Sequence, residues 1–167
     1  MNAIITTVCL TAYALGMANA EEVCLQSDTV VALSKEYDIG PELIVSLVHH
    51  ESRWNTTAKS PAGACGLTQV IPRWVRNPRV SCSRLRNNPK LSLRVGVKIF
   101  NTLLRSKRYA DGNVKVALCM YNAGPRKCRF SGGKGHGSSY SRKVLKTAKK
   151  FREKMMTFDP EAEDEVF

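Results

Sequence analysis

Apolar residues recur at helical spacing along most of the chain. After the first twenty residues, this spacing predicts helices rather than strands. Their expected bounds are 29–37, 41–52, 91–104, 113–121 and 141–155. Pro41 suits the first turn of the second helix, where its missing N–H costs nothing. The run Asn122-Ala123-Gly124-Pro125 is a strong stop for the fourth. The pattern therefore predicts a mainly α domain.

The segments between these helices are short of helical periodicity. Residues 55–79 are rich in Gly, Pro and small polar residues, so we expect loops there, with a brief helix or strand at 66–71. Residues 131–139 contain four glycines and are predicted to form a loop. Because no internal repeat or Pro/Gly linker divides the chain, we expect one domain over residues 21–156.

The N-terminus has the features of an export signal. Residues 3–17 are largely apolar, and Ala18-Asn19-Ala20 fits the small-x-small cleavage pattern. The apolar stretch is short for a membrane span, and no Lys or Arg precedes it. We therefore predict a signal peptide over residues 1–20, with an uncleaved anchor or an ordinary buried helix as the alternatives.

The six cysteines fit an exported protein. No CxxC pair exists, which disfavours a zinc site, and disulfides form readily outside the cytoplasm. Cys9 would leave with a cleaved signal. Five cysteines would then remain, so one thiol would be free or would pair between chains. Spacing alone leaves the connectivity open.

Charge is distributed unevenly. Lys and Arg number 26 against 14 Asp and Glu. No acidic residue lies between Glu51 and Asp111, and in the basic run 126–154 only Glu153 opposes the cations. Such a field attracts nucleic acid, anionic lipid or an anionic cell wall, although a single surface cation is usually just solvated. Residues 157–167 are acidic, and we expect a disordered tail there.

Glu51 is an unusual residue on an otherwise apolar stripe. Positions 44, 47, 48 and 51 share one helical face, and the first three are Ile44, Leu47 and Val48. Burial raises a carboxyl pKa, which is what a general acid needs near neutral pH. The alternative is that Glu51 merely ends the helix, paired with Arg53. The neighbouring His49 and His50 point to different helical faces with no third ligand evident, so no metal site is expected.

Three motifs in order resemble the lytic transglycosylases of the soluble-lytic-transglycosylase type. They are Glu51-Ser52-Arg53-Trp54-Asn55, Gly66-Leu67-Thr68-Gln69 and Tyr121-Asn122-Ala123-Gly124-Pro125. Thr68 stands where this family usually has Met, and Met120 stands where it usually has Ala. The resemblance covers roughly residues 24–151. It implies a lysozyme-like helical domain with a substrate cleft that binds peptidoglycan glycan strands.

The resemblance also implies roles for individual residues. Glu51 would protonate the glycosidic oxygen between N-acetylmuramic acid and N-acetylglucosamine, and would then take the proton of the muramyl C6 hydroxyl, which closes on C1. No cofactor is needed. The expected substrate-binding residues are Ser60, Gln69, Tyr121, Asn122 and Tyr140. Bland interpretations stay open: Ser60 could only start a turn, Tyr121 could be a core residue, and Trp54 is more often core than a sugar platform.

Other functions remain open from sequence. Ordinary glycosidases use two carboxylates, so Asp111 near the cleft would favour a goose-type-like lysozyme hydrolase. A non-catalytic wall-binding module is the third alternative. We expect an exported protein, periplasmic or secreted, or one associated with a virion. Its expected partners are peptidoglycan and a secretion, conjugation or virion assembly, and no specific nucleic acid.

Overall fold

Helices dominate the part of the chain that the structure describes. The computed structural model describes residues 3–75, 79–129 and 138–158. The α-helices, in order, are α1 (Ala3–Ala14), α2 (Ala20–Leu25), α3 (Ser27–Tyr37), α4 (Pro41–Ser52), α5 (Cys82–Asn87), α6 (Pro89–Arg105), α7 (Val114–Ala123), α8 (Pro125–Arg129) and α9 (Ser138–Met156). A short 3-10 helix spans Pro72–Trp74. The described residues contain isolated β-bridges but no strand, which confirms the predicted mainly α class.

Helix α4 has the predicted bounds because local signals define both of its ends. Pro41 occupies its first turn. Arg53, with φ 54°, adopts the left-handed conformation that ends it, and its N–H donates to the carbonyl of His49. Ile44 and Leu47 are buried in the main core. Burying each such side chain stabilises the fold by about 1.5–3 kcal/mol.

Helix α9 lies against both α4 and α7 and closes the core. Its apolar residues recur every three or four positions, so one face is buried while the other carries cations. The buried residues are Ser141, Val144, Ala148, Phe151 and Met155. This packing places the first turn of α9 beside the last turn of α4.

The predicted helices are all present, with ends shifted by up to three residues. Helix α7 continues to Ala123 and stops at Gly124, whose φ of 82° favours glycine. The short helices α5 and α8 were missed because six and five residues carry too little periodicity. The segment 66–71 is neither helix nor strand, since its backbone forms turns and isolated bridges through Cys65. Of the predicted loop 131–139, residues 131–137 lie outside the described residues, whereas Ser138 and Ser139 are helical and begin α9. Of the predicted tail 157–167, residues 159–167 lie outside the described residues.

Exposed ion pairs join α3 and the residue after it to α6. Their cations come from the interval between Glu51 and Asp111, which contains no acidic residue. Lys90 pairs with Asp28, Arg94 with Glu36, and Arg105 with Asp38. Each pair is about half exposed, so it contributes at most about 1 kcal/mol. The cations of α6 are therefore partly neutralised by acids that precede Glu51 in sequence.

All six cysteines form disulfides: Cys9–Cys24, Cys65–Cys82 and Cys119–Cys128. Helix α1 is present as a buried helix, with Val8 and Ala12 in the main core. A leftover thiol is thus expected only in a chain that has lost residues 1–20, and it would be Cys24. No helix in the described ranges combines the length and apolar character needed to cross a membrane.

Candidate active site

Glu51 lies in the last turn of α4, at the end of the stripe formed by Ile44, Leu47 and Val48. Its side chain is largely buried, and its Oε1 accepts a short hydrogen bond from the hydroxyl of Tyr140. A carboxylate withdrawn from water in this way is costly to charge. Glu51 is therefore more than a residue that ends its helix.

The pKa of Glu51 is raised from 4.5 to about 7. Burial is the larger cause, because it disfavours the charged form, and the hydrogen bond from Tyr140 opposes it by stabilising the carboxylate. Within the described part of the chain, no neighbouring carboxylate contributes to the shift. A group that titrates near neutral pH can both give and take a proton during one reaction cycle.

Tyr140 reaches Glu51 from the first turn of α9, 89 residues further along the chain. Burial raises the pKa of its phenol, and the charge of Glu51 raises it further. The phenol therefore stays protonated and acts as a hydrogen-bond donor. The structure brings this predicted site residue into direct contact with the predicted acid.

Tyr121, on α7, forms the other side of the Glu51 environment. Its hydroxyl donates to the backbone carbonyl of Thr68 at 2.8 Å. Its ring meets Phe100 edge-on, with centroids 6.3 Å apart. Burial raises its pKa, and the charge of Glu51 adds to that effect. Tyr121 is thus held both by the core and by the loop that carries Gln69.

Thr68 is a structural residue of the site that sequence reasoning left uncertain. It is fully buried, and its hydroxyl donates to the carbonyl of Ser92 at 2.8 Å. A Cβ added at Gly96 would meet Thr68 at 2.3 Å, so this loop touches α6 directly. The signal was the departure from the family's Met: a small polar side chain suits a close, hydrogen-bonded contact where a long apolar one would not fit.

Gln69 and Ser60 lie in turns of the loop that follows α4. Gln69 is half-buried at φ 48°, and its amide donates to the carbonyl of Gly66 at 2.9 Å. The Oγ of Ser60 accepts from the N–H of Ala64 at 3.0 Å. Ser60 therefore does start a turn, and this bond leaves its hydroxyl proton for another acceptor. Asn122 is exposed at the end of α7.

Two other residues that the sequence suggested have no recorded contact with Glu51 among the described residues. Trp54 is a core residue whose indole donates to the carbonyl of Val45, and its buried ring is closed to solvent. Asp111 is exposed in the turn after α6. Within the described ranges, no group of three His, Cys, Asp or Glu side chains is arranged to hold a metal ion.

The backbone that follows Glu51 is conformationally unusual. Arg53 and Trp54 both have positive φ, 54° and 62°, a conformation that costs a non-glycine residue of order 1 kcal/mol or more. The burial of Trp54 and a hydrogen bond from Asn19 to the carbonyl of Arg53 at 2.8 Å hold this turn. The turn redirects the chain from α4 into the loop that carries Ser60 and Gln69.

Comparison with known proteins agrees with this arrangement. The family model described as the transglycosylase SLT domain matches residues 28–143. The chain belongs to the transglycosylase SLT domain family. The match runs from α3 into the first turns of α9, and so includes Glu51 and Tyr140.

Two curated relatives have transglycosylase names. The transglycosylase of Enterobacteria phage PRD1 is 30% identical over 119 residues, which is 71% of this chain and 41% of the relative. Membrane-bound lytic murein transglycosylase F of Cellvibrio japonicus (strain Ueda107) is 28% identical over 101 residues, 59% of this chain and 20% of the relative. The chain thus spans less than half of the length of either.

Solved structures show the same fold at low identity. The 70 kDa soluble lytic transglycosylase of Escherichia coli aligns with a TM-score of 0.63 and 19% identity, over 90% of this chain and 30% of that one. An inactive glutamate-to-glutamine mutant of lytic transglycosylase Slt from Pseudomonas aeruginosa aligns with a TM-score of 0.57 and 17% identity, over 95% and 30%. The predicted lysozyme-like helical fold is confirmed.

Proposed function

We propose that this SLT-domain protein is a peptidoglycan lytic transglycosylase that cleaves the β-1,4 bond between N-acetylmuramic acid and N-acetylglucosamine. The observation that carries the proposal is Glu51 itself. It is a buried carboxyl with a pKa of about 7, held by Tyr140, and no second carboxylate among the described residues influences its titration. Retaining and inverting hydrolases need two such groups, whereas an intramolecular transglycosylation can proceed with one.

In the proposed reaction, protonated Glu51 gives its proton to the glycosidic oxygen as the bond from that oxygen to C1 of the muramyl residue breaks. The N-acetylglucosamine hydroxyl leaves. The carboxylate then accepts the proton of the muramyl C6 hydroxyl while the C6 oxygen bonds to C1. The product is a 1,6-anhydro end, and the proton taken by Glu51 restores its starting state. Tyr140 stabilises the carboxylate between the two transfers.

The proposed substrate contacts come from the loop after α4 and from helices α7 and α9. Gln69 has a carboxamide oxygen that accepts no hydrogen bond from the described residues, so it can accept one from a sugar hydroxyl or N-acetyl group. Ser60 retains a hydroxyl proton to donate. Tyr121 and Tyr140 offer ring faces and Asn122 an exposed amide.

The deciding experiment is mass spectrometry of the muropeptides released from purified peptidoglycan. We expect products with anhydro ends, and a loss of at least about a hundredfold in their release by Glu51→Gln. The variant keeps nearly the same shape, so a retained melting transition serves as the control for folding. Anhydro products from Glu51→Gln at the wild-type rate would remove Glu51 from the mechanism.

The same experiment distinguishes the alternative functions. Reducing ends, about one water heavier than anhydro ends, would identify a goose-type-like lysozyme hydrolase and would require a second base such as Asp111. Binding to peptidoglycan without any product would identify a wall-binding module. Either result would overturn the transglycosylase proposal.

We also propose a location and a setting. The chain would be exported to a periplasmic or secreted site, or would be carried by a virion, an alternative that its phage relative supports. Residues 1–20 would be its signal, although the burial of Val8 and Ala12 and the Cys9–Cys24 disulfide favour the alternative of a retained, buried helix. Its role would be local opening of the wall for a secretion, conjugation or phage DNA-entry machine. Exposed cations of α9 favour an anionic wall. They are Arg142, Lys143, Lys146, Lys149, Lys150 and Arg152.

Export and removal of the signal can be tested separately, because the Cys9–Cys24 disulfide gives the two possible outcomes different thiol counts. Removal of residues 1–20 would take away Cys9 and leave Cys24 without its partner. Intact mass and thiol titration of the exported, denatured protein should then show a chain beginning at Glu21 with one reactive thiol. A full-length chain with no reactive thiol would show that α1 is retained and that the signal prediction is wrong.

A further inference from the structure

His50 precedes Glu51 on α4 and faces the same partner helix. Its Nε2 lies 2.8 Å from the Oγ1 of Thr147 on α9. Its ring also meets the ring of Tyr140 at an angle of 74°, with centroids 6.4 Å apart. The consecutive residues His50 and Glu51 of α4 therefore contact Thr147 and Tyr140 of α9, respectively.

Thr147 and Tyr140 are seven residues apart, which places them on the same face of α9, about 10 Å apart along its axis. The buried faces of α4 and α9 pack together and set the overall position of the two helices. A second hydrogen bond, two turns from the first, fixes the rotation and translation of α9 on α4 more closely than this packing with one hydrogen bond. The bond between His50 and Thr147 is this second attachment, and the bond between Tyr140 and Glu51 is the first.

Tyr140 needs outside support because it lies in the first turn of α9, which begins at Ser138. The first N–H groups of a helix have no intrahelical acceptor, so this turn is the least firmly held part of the helix. The hydroxyl of Tyr140 must nevertheless stay within hydrogen-bond distance of Glu51 through two proton transfers.

We propose that His50 is a positioning residue that fixes Tyr140 against Glu51 through its hydrogen bond to Thr147. The inference rests on the proposed function of Glu51 and adds a residue outside the three motifs to that site. Burial lowers the pKa of the imidazole and the neighbouring His49 and Lys143 lower it further, while a hydrogen bond with the backbone of Lys143 opposes them, so that the neutral form is favoured. In the proposed role, the ring of His50 acts as a neutral hydrogen-bonding group.

The first test compares the turnover of variants on peptidoglycan. We expect His50→Ala and Thr147→Val each to lower kcat on the order of tenfold, because Tyr140 no longer holds Glu51 in place, and to raise KM by less, because the proposed contacts of Ser60, Gln69 and Asn122 with the sugar stay. His50→Gln and Thr147→Ser should restore most of the loss, since both can remake the bond. Thr102→Val is the matched control, because Thr102 is exposed and its hydroxyl bonds only within α6, to Lys98.

A double-mutant cycle separates positioning from general stabilisation. In a Tyr140→Phe background there is no hydroxyl to position, so His50→Ala should cost little more in kcat. Multiplicative losses, or a wild-type kcat in both His50→Ala and Thr147→Val, would overturn the proposal. If His50→Ala does not fold, Thr147→Val gives the same answer.

A second readout does not depend on enzyme activity. The carboxyl pKa of Glu51, followed by NMR titration, should rise in Tyr140→Phe because the charged form loses a hydrogen bond. His50→Ala should move this pKa in the same direction. An unchanged or lowered pKa of Glu51 in His50→Ala would contradict the positioning role, whatever reaction the protein catalyses. An inactive wild-type protein that shows the expected pKa shifts would overturn only the proposed function.

Discussion

The two sides of the candidate site are built differently. On one side, the helices α4 and α9 hold Glu51 through long-range contacts, Tyr140 with Glu51 and Thr147 with His50. On the other, the loop residues 53–75 hold Ser60 and Gln69 mainly through bonds within their own turns. The Cys65–Cys82 disulfide and the bond from Thr68 to Ser92 attach that loop to α5 and α6.

This difference fits the proposed roles of the two sides. A general acid needs a fixed dielectric environment, which only packed helices provide. Groups that bind a polymer need accessible polar atoms, which turns present more readily than helices. We therefore expect changes on the helix side to alter kcat and the pKa of Glu51, and changes on the loop side to alter KM and stability.

Removing the loop's disulfide should have the largest effect. Cys65→Ala with Cys82→Ala opens a link of sequence separation 17 and should lower the free energy of unfolding by about 3 kcal/mol. KM should rise more than kcat falls, because Glu51 is held elsewhere. Denaturant unfolding measures the loss of stability, and steady-state kinetics measure kcat and KM. A fall in kcat with unchanged KM would contradict the assignment of different roles to the two sides.

Glu51 should also make stability depend on pH. Its pKa is about 7 in the folded state against 4.5 ordinarily, so the unfolded chain loses its proton first. The contribution of Glu51 to stability is fully present below pH 4.5 and is lost as pH rises through 7, by about 3 kcal/mol. The difference in unfolding free energy between Glu51→Gln and wild type should therefore grow in favour of the variant between pH 4 and pH 8. A constant difference would mean that Glu51 titrates normally.

Tyr140→Phe should act on kcat and on the pH profile. The alkaline limb of the rate, set by Glu51 near pH 7, should move to higher pH because the carboxylate loses its hydrogen-bond donor. We expect kcat at the optimum to fall about tenfold. Tyr109→Phe, at an exposed tyrosine, is the control. An alkaline limb that stays in place would show that the bond to Glu51 is not made in solution.

Ser60→Ala should have the smallest effect and tests the loop side directly. Loss of the bond from the N–H of Ala64 should cost about 1 kcal/mol of stability, and KM should rise several-fold, on the order of the same energy. Ser60→Thr keeps the hydroxyl and serves as the matched variant. A stability loss with unchanged KM would restrict Ser60 to its role in the turn.

Much of the fold could be predicted because its signals are local. Pro41 and Gly124 define helix ends through their own backbone restrictions, and the apolar periodicity of α6 and α9 needs no knowledge of their partners. The helices α5 and α8 escaped prediction because helices this short are stabilised by context. Cys82 lies in α5 and Cys128 in α8, and both are tethered by disulfides.

The candidate site was only partly predictable for the same reason. The apolar stripe and the motifs identified Glu51, and the resemblance suggested Tyr121, Tyr140 and Gln69. The contact between His50 and Thr147 was missed, because two adjacent histidines on a helix give no sign of which residues of another helix pack against them. Thr68 was visible only as a departure from a family pattern.

The sequence by itself determined the helices, the order of the motifs and the position of one carboxyl on an apolar face, because these depend on residues close together in the chain. Only the tertiary structure decided that Tyr140 meets Glu51, that Thr147 meets His50, that Trp54 is core, and which cysteines pair. Those outcomes depend on how α9 packs on α4 and how the loop docks on α6. Contacts between residues far apart in sequence are set by the packing of whole faces, and no local pattern encodes the partner.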